Sequence, residues 1–314
     1  DNWVWPRHTG DFSMFRIYAD KDNKPAEYSK DNIPYKPKHF LPIYIKDKQE
    51  NDFTLVFGLP GRTTQYLPAI AVEKIMTETD PTMIGVREVA LKTLDEKMRT
   101  DAETRIKYAS KYASIANYWK KWIGEVEGLK KSDAVGKKKA YEQTLIAKNP
   151  QIKPTIEELN RLYTEQSPYA VNKAFYSETV RNAETFTLAN FFYNYIQAAE
   201  SGKLDAKSLE SLKNRLSGIY ADYDGALDAK VTAKLLALYA NKSKPQFVST
   251  DLNAYKNENQ NLETIENLSK NSVITGRGSL NGATTYSDIN KVFADQNALI
   301  QNLKNDPLMK LFSN

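Results

Sequence analysis

The chain has 314 residues, 41% of them hydrophobic and 26% charged, and 44 basic against 39 acidic side chains leave a net charge of +5. That is enough chain to bury one large core or two smaller ones, and the positive balance is too mild to point to a nucleic-acid partner. With no cysteine and only His8 and His39, disulfides, thiolate chemistry, cysteine zinc sites and multi-histidine metal sites are excluded, and no calcium-loop pattern appears.

Taken in order, the chain opens with "DNWVW", which has no Met, no basic segment and no apolar leader. The expectation is that a leader has been removed or that the chain begins inside a longer protein. Residues 12–19, 41–45 and 53–58 are short runs rich in β-branched and aromatic residues, and they read as strands. The proline-rich, charged stretch 19–40 reads as an excursion between them. Three strands make no stable closed sheet alone, so this segment calls for partners.

Gly58, Pro60 and Gly61 mark a boundary, after which the pattern becomes helical. Asp80 and Pro81 predict an N-cap and first residue of a helix. The next helix, about 101–130, shows an apolar stripe of Ile106, Ala109, Ala113, Ala116 and Ile123. Further helices are expected at 132–148, 155–166, 168–201, 205–222 and 225–242, with Ser132, Thr155, Ser167 and Asp205 as caps and Thr155–Glu158 as a capping box. A glycine-punctuated turn region follows at 271–285, then two or three short helices through Leu311. No bilayer-spanning run of roughly 20 apolar residues is present; the patch 185–196, "TFTLANFFYNYI", reads as a buried helical face.

Several stretches invite functional readings that the residues do not support. "GRGSLNG" (276–282) lacks the phosphate-loop pattern and reads as a plain loop. The lysines of "KKSDAVGKKK" (130–139) read as solvated helix ends. "NYWKKW" (117–122) reads as core aromatics flanked by snorkelling lysines rather than a stacking platform for bases. His8, Asp11 and Ser13 lie too close along the backbone to converge as a local triad. His39 has no partner in sequence.

The stretch "NWVWPRHTGDFSMFRIYAD" (2–20), together with "ENDFTLVFGLPGRTTQYLP" (50–68) and "SIANYWKKW" (114–122), resembles the bacterial dipeptidyl-peptidase 7 and 11 type of serine exopeptidase, serine peptidase family 46. The resemblance implies a mainly α chain: a helical domain inserted in a chymotrypsin-like double β-barrel, with residues 1–62 a partial barrel segment and 63–314 the helical regulatory or cap domain. It implies that Asp11 is the catalytic Asp of the "HTGD" motif, which orients the catalytic His. That His belongs to a His-His-Cys-Gly context, and the nucleophile to a Gly-Asn-Ser-Gly-Ser context. Neither context occurs here, and His8 matches no catalytic position.

The resemblance also implies that Asn2, Trp3 and Asn117 anchor the substrate α-ammonium. It implies peptide substrates with a free N-terminus, no cofactor or metal, no nucleic acid, no membrane span, a homodimer and a periplasmic or secreted location. The rest of the barrel would come from other segments of the same polypeptide, and this chain alone would be inactive. A non-enzymatic helical peptide-binding module is the alternative reading, and a lysine-based nucleic-acid binder a third.

Overall fold

The computed structural model describes residues 13–55, 57–58, 64, 66–275, 282–283 and 285–313. The chain divides into two compact units, Pro6–Tyr66 and Leu67–Asn314, apart from a few N-terminal residues.

In the first unit the described residues form a single two-stranded ladder, β1 (Tyr18–Ala19) antiparallel to β2 (Ile33–Pro34). A turn built on Asp20 closes it. The Asp20 carboxylate accepts from the backbone N–H of Asp22 and Lys24, and Asn23 sits at φ 62°. The expected strands at 41–45 and 53–58 are absent among the described residues, and β2 lies in the stretch read as an excursion. The reason is pairing: a strand needs a neighbour for its N–H and C=O groups, and these runs find none. Their side chains are left exposed, including Phe40, Leu41, Ile43, Ile45, Phe53 and Leu55.

The second unit is helical. α1 (Ala69–Lys74) runs without a break through a wide π-turn, Ile75–Thr79, into α2 (Asp80–Met98). Asp80 is therefore not the expected N-cap. Its backbone is helical, and its N–H donates to the carbonyl of Ile75, five residues back. Pro81 has no N–H and crowds the preceding turn, and the widened turn makes room for it. α3 (Ala102–Lys131) starts at Asp101, whose carboxylate accepts from the N–H of Glu103 and Thr104. The turn into α4 (Ala134–Lys148) passes through Asp133 at φ 49°, so Ser132 ends α3 rather than starting α4.

α4 fixes the start of the unit. Glu142 accepts from the N–H of Ala69 at 2.6 Å, Lys138 donates to the carbonyl of Leu67 at 2.8 Å, and Lys139 pairs with Glu73 at 2.8 Å. Two lysines of the basic run thus serve packing.

α5 (Lys153–Asn182) carries Pro168 in its interior and does not break there. Packing against α1, α2 and α8 outweighs the local cost of the proline. Ser167 is consequently no cap, and its hydroxyl donates to Glu78 instead. Thr155 is not a cap either, since the helix starts two residues earlier beside Pro154. The break comes at Ala183, before α6 (Glu184–Glu200). There the carboxylate of Asp228, from α8, accepts from the N–H of Glu184 and Thr185 at 2.7 and 2.8 Å. α6 ends at Gly202, whose φ of 67° closes the turn with N–H donation back to Ala199.

α7 (Ala206–Asp222) and α8 (Gly225–Lys242) lie where expected, and Asp205 caps α7 through the N–H of Ser208. α9 (Glu258–Lys270) was not foreseen. Three short helices close the chain, α10 (Tyr286–Val292), α11 (Gln296–Asn305) and α12 (Pro307–Ser313).

Two apolar clusters hold these helices. One gathers Val86, Ala90, Leu94, Tyr108, Ile115, Leu235 and Ile265 from α2, α3, α8 and α9. The other gathers Leu188, Phe192, Leu216, Ile289 and Leu303 from α6, α7, α10 and α11. Phe312 packs against both. No helix among the described residues is long and apolar enough to cross a membrane.

Candidate functional site

Of the residues marked by the resemblance, Asn2, Trp3 and Asp11 lie outside the described residues, as does His8. Most of "GRGSLNG" lies outside them as well. Asn117 is described and stands on α3.

The core face of α3 is Thr104, Tyr108, Ile115, Trp122 and Val126. The alanine-based stripe expected from sequence is not that face: Ile106 is 76% exposed, and Ala109 and Ala113 are also exposed. Tyr108 and Trp122 remove far more area from water than alanines do, and they set the rotation of the helix. Asn117 therefore does not sit at the edge of the buried stripe. It is two residues past Ile115, about 200° round the helix at roughly 100° per residue. That places it on the face turned away from the core, exposed and with no side-chain hydrogen bond among the described residues.

The backbone beneath Asn117 is tied down from α2. Arg87 is 3% exposed and meets Glu178 of α5 through two contacts, Nε to Oε2 at 2.6 Å and Nη2 to Oε1 at 3.3 Å. Its Nη1 donates to the carbonyl of Ile115 at 3.0 Å. Its guanidinium also lies over the rings of Trp122 and Tyr118, 4.7 and 5.4 Å from their centroids. Asn182 donates to Glu178 from one turn further along α5, at 3.1 Å. One cation thus joins α2, α3 and α5 just before Asn117. Of the aromatics of "NYWKKW", Tyr118 and Trp122 face this arginine, and Trp119 packs on the first apolar cluster.

At the start of α2, Asp80 is 3% exposed, and its Oδ2 is buried with no hydrogen-bond partner among the described residues. Burial first, and nearby Glu125 second, push its pKa up to about 7 against the opposing effect of Lys121. Lys121 and Glu125 pair with each other on α3, and Lys121 is one turn beyond Asn117. Sequence reading missed Arg87, Glu178 and Asp80. A signal existed for Arg87, a charge aligned at helical spacing with Leu91 and Leu94 on an apolar face.

His39 is exposed. Among the described residues no group of three or more His, Asp or Glu side chains is placed to hold a metal ion.

Residues 1–313 match the family model described as Peptidase S46. The chain is 48% identical over 263 residues to an Asp/Glu-specific dipeptidyl-peptidase of Flavobacterium psychrophilum, covering 80% of this chain and 37% of that protein. It is 40% identical over 243 residues to dipeptidyl-peptidase 7 of Porphyromonas gingivalis, covering 75% of this chain and 33% of that one. Among solved structures, Porphyromonas endodontalis DPP11 in complex with the dipeptide Arg-Glu superimposes with a TM-score of 0.66 at 22% identity. That match covers 99% of this chain and 44% of the other, a likeness of fold. The chain spans roughly two-fifths of the length of these relatives. By its family match and these identities, the chain belongs to the Peptidase S46 family.

Proposed function

We propose that this chain is part of a serine dipeptidyl peptidase that releases dipeptides from the free N-terminus of peptides. Its N-terminal unit would be a segment of a chymotrypsin-like double barrel, completed by other segments of the same polypeptide. Its helical unit would cap the cleft and restrict the enzyme to chain ends. Asp11 would orient the catalytic His and stabilise its imidazolium form while the nucleophilic Ser forms and releases an acyl-enzyme. Asn2 and Asn117 would offer side-chain oxygens to the substrate α-ammonium, and Trp3 an aromatic wall beside it. The enzyme would work in the periplasm or outside the cell, as a homodimer.

The observation that carries this reading is Asn117. In a chain of this family, it is an exposed amide on the outward face of α3, on backbone held by the buried Arg87–Glu178 pair. The exposed apolar side chains at 14–57 support the barrel, because they supply surface for strands to cover.

Replacing Asn117 by Ala in the intact enzyme should lower kcat/KM for a dipeptidyl fluorogenic substrate about 10- to 100-fold, the worth of a hydrogen bond to a charged group. An unchanged kcat/KM would remove Asn117 from the clamp. Chain 1–314 by itself should release no dipeptide. Turnover that follows the chain through purification and survives Asp11→Ala would overturn the proposal.

A further inference from the structure

The 30-residue helix α3 packs chiefly on α2, and the core of that contact is apolar, with Val86, Ala90 and Leu94 in one cluster with Tyr108 and Ile115. Apolar attraction has no direction. It holds two helices together without fixing how far one slides or turns along the other. A hydrogen bond does fix this, because it holds only over a narrow range of distance and angle.

Arg87 makes such directed contacts. From α2, its Nη1 reaches two consecutive carbonyls of α3, Ile115 at 3.0 Å and Ser114 at 3.5 Å. Its guanidinium lies over Tyr118 and Trp122, whose rings are 5.6 Å apart. Residues 114, 115 and 118 bracket Asn117, so these contacts gather on the turn of α3 that carries it.

Arg87 is itself held. Glu178 accepts from Nε and Nη2, and Asn182 donates to the same carboxylate. The side chains of Arg87 and Glu178 are no more than 5% exposed. A planar fork bonded to a carboxylate on one side and to backbone carbonyls on the other has one orientation. Stability is a poor account of this arrangement, since a buried ion pair often contributes no more than apolar side chains of the same volume. Apolar side chains would not supply the donors to Ser114 and Ile115.

We propose that Arg87 is a positioning residue for capture of the substrate α-ammonium. It sets the height and rotation of the turn from which Asn117 meets that group, and it touches no substrate itself. The inference rests on the reading of Asn117 as part of the clamp. Because Arg87 acts through Asn117, its loss does not exceed the loss of the Asn117 amide, and it has nothing to act on once that amide is gone.

The test is a double-mutant cycle on kcat/KM in the intact enzyme, with a dipeptidyl fluorogenic substrate and urea midpoints measured alongside. Arg87→Met with Glu178→Met removes the directed contacts and leaves no lone charge. It should lower kcat/KM about 10-fold, as expected for a binding group displaced by less than an ångström. In an Asn117→Ala background the same two changes should alter kcat/KM by less than about twofold. Arg87→Lys keeps a cation beside Glu178, but one ammonium does not replace the fork. It should fold even where the Met pair does not, and show the same dependence on background. A purely structural Arg87 gives the opposite pattern, losses that follow the urea midpoint and multiply with that of Asn117→Ala. That pattern, or a folded variant with unchanged kcat/KM, would overturn the assignment while Asn117→Ala alone still lowers activity. Unchanged kcat/KM in Asn117→Ala would overturn the clamp reading itself, and this assignment with it.

Discussion

Residues 13–58 and the helical unit are both well supplied with large apolar side chains, and the two regions treat them in opposite ways. Phe15, Ile43 and Ile45 are 90%, 88% and 89% exposed, while Leu188, Phe192 and Leu235 are fully buried. The difference lies in the backbone. A helix satisfies its own N–H and C=O groups and needs only another apolar face to pack on. A strand needs a neighbour before its side chains can be buried at all. Among the described residues, the N-terminal unit pairs only Tyr18–Ala19 with Ile33–Pro34. Apolar alternation therefore reports a demand for partners, and among the described residues the helices meet that demand while most of the N-terminal apolar side chains stay exposed.

The sharpest test of the self-sufficient side is the buried pair Arg87–Glu178. Arg87→Ala should cost about 3–5 kcal/mol, because Glu178 would be left buried with only the exposed Arg181, 3.9 Å away, as a cation. The double change Arg87→Met with Glu178→Met should cost less than either single removal, since no uncompensated charge then remains. Urea unfolding of the three variants checks this. Single losses below about 1 kcal/mol that simply add in the double variant would mean the pair does not join the three helices.

The comparison itself is broken or kept by a matched pair. Leu235→Ala removes a fully buried side chain from the first core cluster and should cost about 2–5 kcal/mol. Ile45→Ser removes an equally large side chain from water-exposed coil and should change the stability of chain 1–314 by less than about 0.5 kcal/mol. A loss at Ile45 as large as that at Leu235 would show that the N-terminal apolar residues are already packed.

What the sequence made legible follows the same division. Helices whose signals are local came out where they were read: α7 behind its Asp205 cap, α8 from Gly225 to Lys242, and the apolar face of α6. Features set by distant residues did not. The break at Ala183 depends on Asp228, which reaches the start of α6 from another helix, so nothing near residue 183 announces it. The continuity of α5 through Pro168 depends on neighbours on several sides. The rotation of α3 follows Tyr108 and Trp122 rather than the Ile106–Ile123 stripe, because the large rings pack against distant helices. Asn117 is marked as a candidate site residue only by a family resemblance. Its own neighbours in sequence misplace it, and the long-range Arg87–Glu178 contact beneath it has no signature at either end alone.

Burial in the helical unit also carries a cost, and Asp80 shows where. Its carboxyl is buried against α3 with an orphaned oxygen, and its pKa stands at about 7 against an ordinary 3.8. In the unfolded chain the group gives up its proton near 4. Between about pH 4 and 7 the folded state holds a proton that the unfolded state has released, so stability falls as pH rises through that window and levels off above it. Asp80→Asn has no such proton to lose. At pH 5 the variant should differ little from the parent, and at pH 8 it should be more stable by about 1–2 kcal/mol, part of what a tenfold shift per 1.4 kcal/mol allows. The pH dependence can therefore be assigned to Asp80 by comparing urea midpoints of the two proteins at both pH values. An equal difference at pH 5 and pH 8 would show that Asp80 stays ionised throughout, and that the α2–α3 junction accommodates its charge without penalty.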